Sequence, residues 1–201
     1  MRGKKIAVSA GAILLTGAVL FLLSVQELIA VVSAIFVHEL GHVIALHAMG
    51  MRVKGLRAEA RGFCIEYSGS ACTAGHIAAA AAGPIAGFIY AFAAAGLGSK
   101  LENETLLLSS GISMLLSAFN MLPVLPLDGG RVFALLCSCV TDGRHAEKAA
   151  RAVGILTSAS LLAFGTYMMW RGHGIALTVA AIWLLMYIPE EEGVVKRKEI
   201  L

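Results

Sequence analysis

Charge is scarce in this chain. Of its 201 residues only 14% are Asp, Glu, Lys or Arg, while 58% are hydrophobic, and aspartate occurs only at Asp128 and Asp142. Soluble globular domains carry about 25% charged residues, so a mean hydropathy of +0.81 excludes that class and leaves a polytopic membrane protein. There is no internal repeat, and no low-complexity tract beyond the alanine run from Ala78 to Ala82. The modest net charge of +3 bears on topology and not on nucleic-acid binding. Four cysteines (Cys64, Cys72, Cys137, Cys139) fall on the inner side of the expected topology and read as free thiols rather than disulfides. Cys137 and Cys139 stand two apart, about 200° around a helix, which is poor spacing for a shared metal.

Apolar runs long enough to cross a bilayer, or nearly so, extend over Ile6–Val25, Leu28–Met49, His76–Leu97, Thr105–Val140, Ala152–Trp170 and Ile175–Ile188. They predict six spans, the first an uncleaved helix, with a cleavable signal as the alternative reading. Thirteen of the sixteen Lys and Arg then fall on one side, in the N-terminal segment, Arg52–Arg61, Arg144–Arg151 and Lys196–Lys198, and only Lys100 and Arg171 fall on the other. This positive-inside bias predicts a multi-pass protein of the cell membrane with both termini cytoplasmic. Residues 1–189 read as one membrane domain with its core at 28–140, and residues 190–201 as a short charged tail.

Between the second and third spans the pattern changes. Phe63, Ile65 and Tyr67 alternate with Cys64 and Glu66, the period of a strand, punctuated by Arg61-Gly62 and Ser68-Gly69. A short membrane-associated β element and a solvated basic loop are both compatible with it. The fourth apolar run would measure roughly 54 Å as one helix against a hydrocarbon core of about 30 Å. Within it, Asn120-Met-Leu-Pro123-Val-Leu-Pro126-Leu-Asp128-Gly129-Gly130-Arg131 forbids a continuous helix. The fold expected is therefore an all-α polytopic membrane protein of about six transmembrane helices, with a short β element and a broken fourth helix. Irregular backbone at membrane depth survives only when buried in protein or facing a wet cavity.

The second span contains His38-Glu39-Leu40-Gly41-His42, three ionisable groups within five residues at membrane depth. Such groups are costly in hydrocarbon, and a metal ion accounts for all three together. His38 and His42 lie about 40° apart after one helical turn, so both can offer imidazole nitrogens to one tetrahedral Zn2+. Glu39 sits beside that face, where a carboxylate can take a proton from an attacking water and pass it to a leaving amine. With 6 His and 11 Glu in the chain, the motif would arise by chance about once in a hundred shuffled sequences, too often to stand alone.

A catalytic zinc site needs a third protein ligand. His47 falls on the opposite face of the helix and reads as interfacial; His76 stands at a span boundary; His145 and His173 are loop residues. Asp128 differs, because it lies in the broken segment where an unpaired carboxylate is expensive. A helix-capping role is its structural alternative.

Taken together, His38-Glu39-Leu40-Gly41-His42 on a membrane helix, followed by Asn120-x-x-Pro123 and Leu127-Asp128-Gly129-Gly130-Arg131, resemble the site-2 protease family of intramembrane zinc metalloproteases, over roughly Val31 to Phe133. Gly83-Pro84 is similar to a small-residue motif in that family's third core helix, although Gly87 stands where an asparagine often follows. The resemblance implies one Zn2+ bound by His38, His42 and Asp128, with Glu39 activating water and Asn120 holding the substrate carbonyl. It implies a transmembrane or membrane-associated protein as substrate, cut within or near the bilayer after local unwinding, and added as an extended strand near Phe63–Tyr67. Regulatory membrane proteins are further partners that it allows. The compact size and six spans look most like the bacterial branch that includes the sporulation protease processing a sigma-factor precursor. The twelve residues from Glu190 leave no room for the nucleotide-sensing domain that many such relatives carry. A non-proteolytic metal-binding transporter or scaffold is the alternative, but transporters show paired interrupted segments and only one is evident here.

Overall fold

A computed structural model describes the chain at residues 5–8, 23–59, 62–68 and 72–186, with side chains over 23–51 and 72–186. Six helices occur among the described residues: α1 (Val25–Ala48), α2 (Thr73–Leu101), α3 (Glu104–Asn120), α4 (Asp128–Val140), α5 (Gly143–Trp170) and α6 (Ala176–Met186). Three of them (α1, α2 and α5) are long and apolar enough to cross a membrane. The chain divides into two compact units, one formed by Met1–Asn120 and the other by Met121–Lys198.

In the first unit α1, α2 and α3 pack on one another. Most of their buried positions are small, among them Ala30, Ala34 and Gly41 on α1 and Ala79, Ala80, Gly83, Gly87, Ala91 and Ala94 on α2. The large apolar side chains of the same helices, among them Val32, Phe36, Ile44, Ile89 and Phe92, point outward. In water this inversion would leave a sticky surface. In a bilayer it is the expected arrangement, because lipid solvates the large side chains while small residues let helix backbones approach closely. A Cβ added at Gly41 would lie 2.5 Å from the Ala82 carbonyl oxygen and 2.7 Å from the Ala86 Cβ, which measures how tightly α1 meets α2.

A polar cluster joins the same three helices. Ser109 Oγ of α3 donates to the Ala30 carbonyl of α1 at 3.3 Å and lies 2.7 Å from the Tyr90 hydroxyl of α2 and 2.8 Å from Ser33 Oγ of α1. Interhelical hydrogen bonds of this kind replace the hydrophobic drive that lipid removes.

The β element is present as a three-stranded sheet, β1 (Lys5–Val8), β2 (Arg52–Glu59) and β3 (Gly62–Ser68), in the order β1-β2-β3. β2 and β3 form an antiparallel hairpin pairing Leu56 with Ile65 and Arg57 with Cys64, with an irregularity between Val53 and Gly55. β1 adds in parallel, Lys5 opposite Gly55 and Val8 opposite Ala58. The first span therefore does not begin as a helix at Ile6. Residues 5–8 satisfy their backbone groups on the open edge of β2, and tertiary pairing overrides what an apolar run suggests locally. The remainder of that expected helix, 9–22, and the charged tail lie outside the described residues.

Three boundaries differ from the hydropathy reading. Gln26 and Glu27, which separate the first two apolar runs, lie in the first turn of α1, held by a capping box in which the Ser24 backbone N–H donates to Glu27 at 2.7 Å and the Glu27 N–H to Ser24 Oγ at 3.3 Å. Pro84 lies inside the continuous helix α2, which begins at Thr73 rather than near His76. Most of the expected inner loop Thr141–Arg151 is the beginning of α5. There Ala146, Ala150, Gly154 and Ser158 make a buried stripe of four-residue period, while Arg144, Lys148 and Arg151 occupy other faces. The expected break of the fourth run falls between α3 and α4, over 121–127.

Candidate active site

His38 and His42 are the two largest polar groups buried on α1, each 4% exposed, one turn apart. Their ring centroids are 5.0 Å apart with the planes at 78°, edge to face, so the α-helical period brings both imidazoles to one side of the helix. The orientation of His42 is set from α2. Its Nδ1 lies 2.8 Å from the Ala79 carbonyl oxygen, and only a protonated Nδ1 can donate to a carbonyl. That bond assigns the lone pair to Nε2, the usual way a ligating histidine is oriented by an acceptor behind it. The ring lies against Gly83, where an added Cβ would overlap Nε2 and stand 2.6 Å from Cε1. Gly83 is thus the space in which the His42 ring sits, a role the sequence leaves open. Glu39 is half-buried beside the histidines on α1.

Asp128 opens α4 in the second unit and is 6% exposed. As the first residue of the helix it stands at the positive end of the helix dipole. Arg131 Nη1 lies 3.6 Å from Asp128 Oδ1. The two glycines that follow it have a steric purpose. A Cβ on Gly129 would overlap the Met121 carbonyl and come within 2.6 Å of the Leu122 carbonyl oxygen, and one on Gly130 would strike the Val124–Leu125 peptide. The segment 121–127 folds back over the start of α4 only because those two positions lack side chains. It is stabilised by the Leu127 N–H donating to the Val124 carbonyl at 2.8 Å.

Asn120 is the last residue of α3 and half-buried, with Nδ2 donating to the Leu116 carbonyl at 3.1 Å. His47 is exposed in the last turn of α1, His76 is half-buried in the first turn of α2, and His145 and His173 are exposed. Cys72, Cys137 and Cys139 are free thiols. Two buried imidazoles and one buried carboxylate, His38, His42 and Asp128, make a donor set that could hold a metal ion. Such N2O sets are typical of catalytic zinc.

Comparison with known families decides the class of this chemistry. The family described as Peptidase M50B-like matches residues 10–126, more than half of the chain. The chain belongs to that family. The related Peptidase family M50 matches residues 100–164, which include Asp128 and its flanking glycines. No curated protein sequence matches the chain. Among solved structures it is similar to the Site-2 Protease from Methanocaldococcus jannaschii, with a TM-score of 0.70 at 21% identity, covering 97% of this chain and 94% of that one. At that identity the likeness is one of fold. The resemblance to site-2 proteases carried by His38–His42 and Asn120–Arg131 is borne out. This M50B-like protein is a membrane metalloprotease, and M50 metalloproteases use zinc.

Proposed function

We propose that the protein is an intramembrane zinc endopeptidase that hydrolyses a peptide bond in a membrane-tethered substrate close to the cytoplasmic face. The observation that carries this reading is the buried His38–His42 pair on a membrane-length helix, with the Nδ1 of His42 held by the Ala79 carbonyl. Buried imidazoles without a cation to serve would be costly at this depth.

In this reading His38, His42 and Asp128 hold one Zn2+. The ion supplies Lewis acidity, polarising a carbonyl and lowering the pKa of water. Glu39 takes a proton from the attacking water as its oxygen bonds to the peptide carbonyl carbon, and returns that proton to the amine as the C–N bond breaks. Asn120 turns its amide from the Leu116 carbonyl toward the substrate carbonyl and stabilises the developing oxyanion. The substrate segment unwinds, because a helix hides its carbonyls in internal hydrogen bonds, and pairs as a strand with the sheet formed by β1 to β3.

A cytoplasmic position of both termini is supported by the distribution of Lys and Arg and by the pairing of β1 with β2, which puts Lys5 opposite Gly55, between Lys54 and Arg57 in sequence. Residues 1–189 act as one protease domain, and regulatory membrane proteins would control substrate access. A transcription-factor or sigma-factor precursor tethered to the membrane is the substrate class with the right form.

The test uses the purified full chain in lipid vesicles with a reporter whose single apolar span is broken by an Asn-Gly pair. Metal analysis should return about one zinc per chain, and Glu39→Gln should keep that zinc while losing cleavage. A zinc-free active protein, or undiminished cleavage by Glu39→Gln, refutes the mechanism.

A further inference from the structure

Helix α5 carries its cations on one face. Measured around the helix from Arg144, Lys148 lies at about 40° and Arg151 at about −20°, so the three fall within about 60°. Arg144 and Lys148 are exposed and Arg151 is half-buried. Residues three and four apart on a helix are neighbours at about 5–6 Å, and like charges there oppose each other. Two acidic residues stand near. Asp142 is exposed at the N-cap position, and Glu147 is half-buried about 60° from Arg144.

The cations mark a depth. The rise from Arg151 to Arg171 is about 30 Å, the thickness of a hydrocarbon core. At the far end Tyr167 and Trp170 are exposed, and the Arg171 guanidinium lies 6.0 Å from the Tyr167 ring centroid, the aromatic and basic belt of a membrane interface. At the near end the next residue of the cationic stripe, Ile155, is exposed and apolar. Lys148 and Arg144 lie about 4.5 and 10 Å beyond Arg151, at the level of lipid headgroups.

We propose that Arg144, Lys148 and Arg151 bind the headgroup of an anionic glycerophospholipid of the cytoplasmic leaflet, with an acyl chain lying along α5 from Ile155. Charge complementarity carries the assignment. A phosphodiester set between Arg144 and Lys148 turns their mutual repulsion into two attractions, and the arginines offer paired N–H donors that fit phosphate. The lipid also bears on the candidate active site. A Cβ on Gly154, one turn beyond Arg151, would lie 3.7 Å from the Val124 Cα. A headgroup held at Arg151 therefore fixes the level of segment 121–127, which leads into Asp128. The inference rests on the cytoplasmic placement proposed above and needs no proteolysis.

The experiment counts lipid on the purified full chain by native mass spectrometry, from micelles holding equal phosphatidylglycerol and phosphatidylcholine. Wild type should retain phosphatidylglycerol in preference. Arg144→Gln/Lys148→Gln should lower its affinity about 30-fold, about fivefold for each basic side chain, with α-helical circular dichroism unchanged. Arg144→Lys/Lys148→Arg keeps both charges and should bind as wild type does. Lys100→Gln/Arg171→Gln removes two cations elsewhere and should change little. An equal loss in that control overturns the site, because net charge alone would then drive binding. So does a wild type without preference, or an unaffected Gln pair. Displacement of the lipid by an equal concentration of glycerol 3-phosphate would make the ligand a free phosphate ester and also overturns it. The placement is tested apart, by a membrane-impermeant maleimide on intact cells carrying Thr141→Cys with the four native cysteines replaced by serine. Labelling from outside would overturn the cytoplasmic leaflet whatever the lipid-binding result.

Discussion

The Nδ1 atom of His42 lies 2.8 Å from the carbonyl oxygen of Ala79, and Gly83, one turn further along the same helix, lies against the ring. A single turn of α2 therefore does two things for one imidazole. It fixes the tautomer through a backbone acceptor and fixes the position by leaving out a side chain.

Gly83→Ala should accordingly act on the site rather than on the fold. The new Cβ meets a ring held by its hydrogen bond, so the imidazole must turn and give up the Ala79 carbonyl. Metal affinity should fall about 10-fold or more, the scale seen when a group that orients a ligand is lost. Zinc titration of the purified variant reads this directly. Gly96→Ala is the control, since a Cβ there meets nothing within 4 Å; it should bind zinc as the wild type does.

Gly129→Ala tests the other end of the donor set. The Met121 and Leu122 carbonyls occupy the space of the added Cβ, and backbone cannot move aside cheaply. The start of α4 must shift, carrying Asp128 with it. Zinc content should drop while the α-helical circular dichroism stays near that of the wild type; retained stoichiometric zinc would show that Asp128 does not need this placement.

Ser109→Ala should destabilise the three-helix unit without touching the chemistry. It removes one hydroxyl that serves Ala30, Ser33 and Tyr90 at once. Interhelical hydrogen bonds in membranes are worth about 0.6 kcal/mol on average and up to about 1.7. A loss of about 1–2 kcal/mol in a detergent unfolding titration, with kcat unchanged, is expected.

Much of this architecture is legible in the amino-acid sequence. The four-residue spacing of His38 and His42 requires only the helical period, and the prolines and glycines of 120–131 announce a broken helix by their own backbone chemistry. The alternation from Phe63 to Tyr67 appears as β3. Other features leave no residue-type signal. The acceptor for His42 is a main-chain carbonyl, which any residue at position 79 would supply. The strand at Lys5–Val8 depends on a partner about fifty residues away and looks like the start of an apolar helix by itself. The beginning of α5 is hidden by Arg144, Lys148 and Arg151, which read as a solvated loop although the small residues between them form a buried helical stripe. The Ser109, Ser113 and Ser117 series has a visible helical period, but hydropathy scores those residues as neutral.

Asp128 is the residue whose role is most open to direct test. If it completes the zinc shell with His38 and His42, Asp128→Ala should weaken zinc binding strongly, because a two-imidazole site lacks both a ligand and the charge that partly neutralises the cation. Removal of metal by a chelator should abolish cleavage in the wild type, and added Zn2+ should restore it. In Asp128→Ala the same addition should fail at zinc concentrations that saturate the wild type. Arg131 offers a second measurement. It lies 3.6 Å from Asp128 and competes with the cation for the carboxylate, so Arg131→Gln should keep zinc or bind it more tightly. Unchanged zinc affinity in Asp128→Ala would assign the third ligand elsewhere.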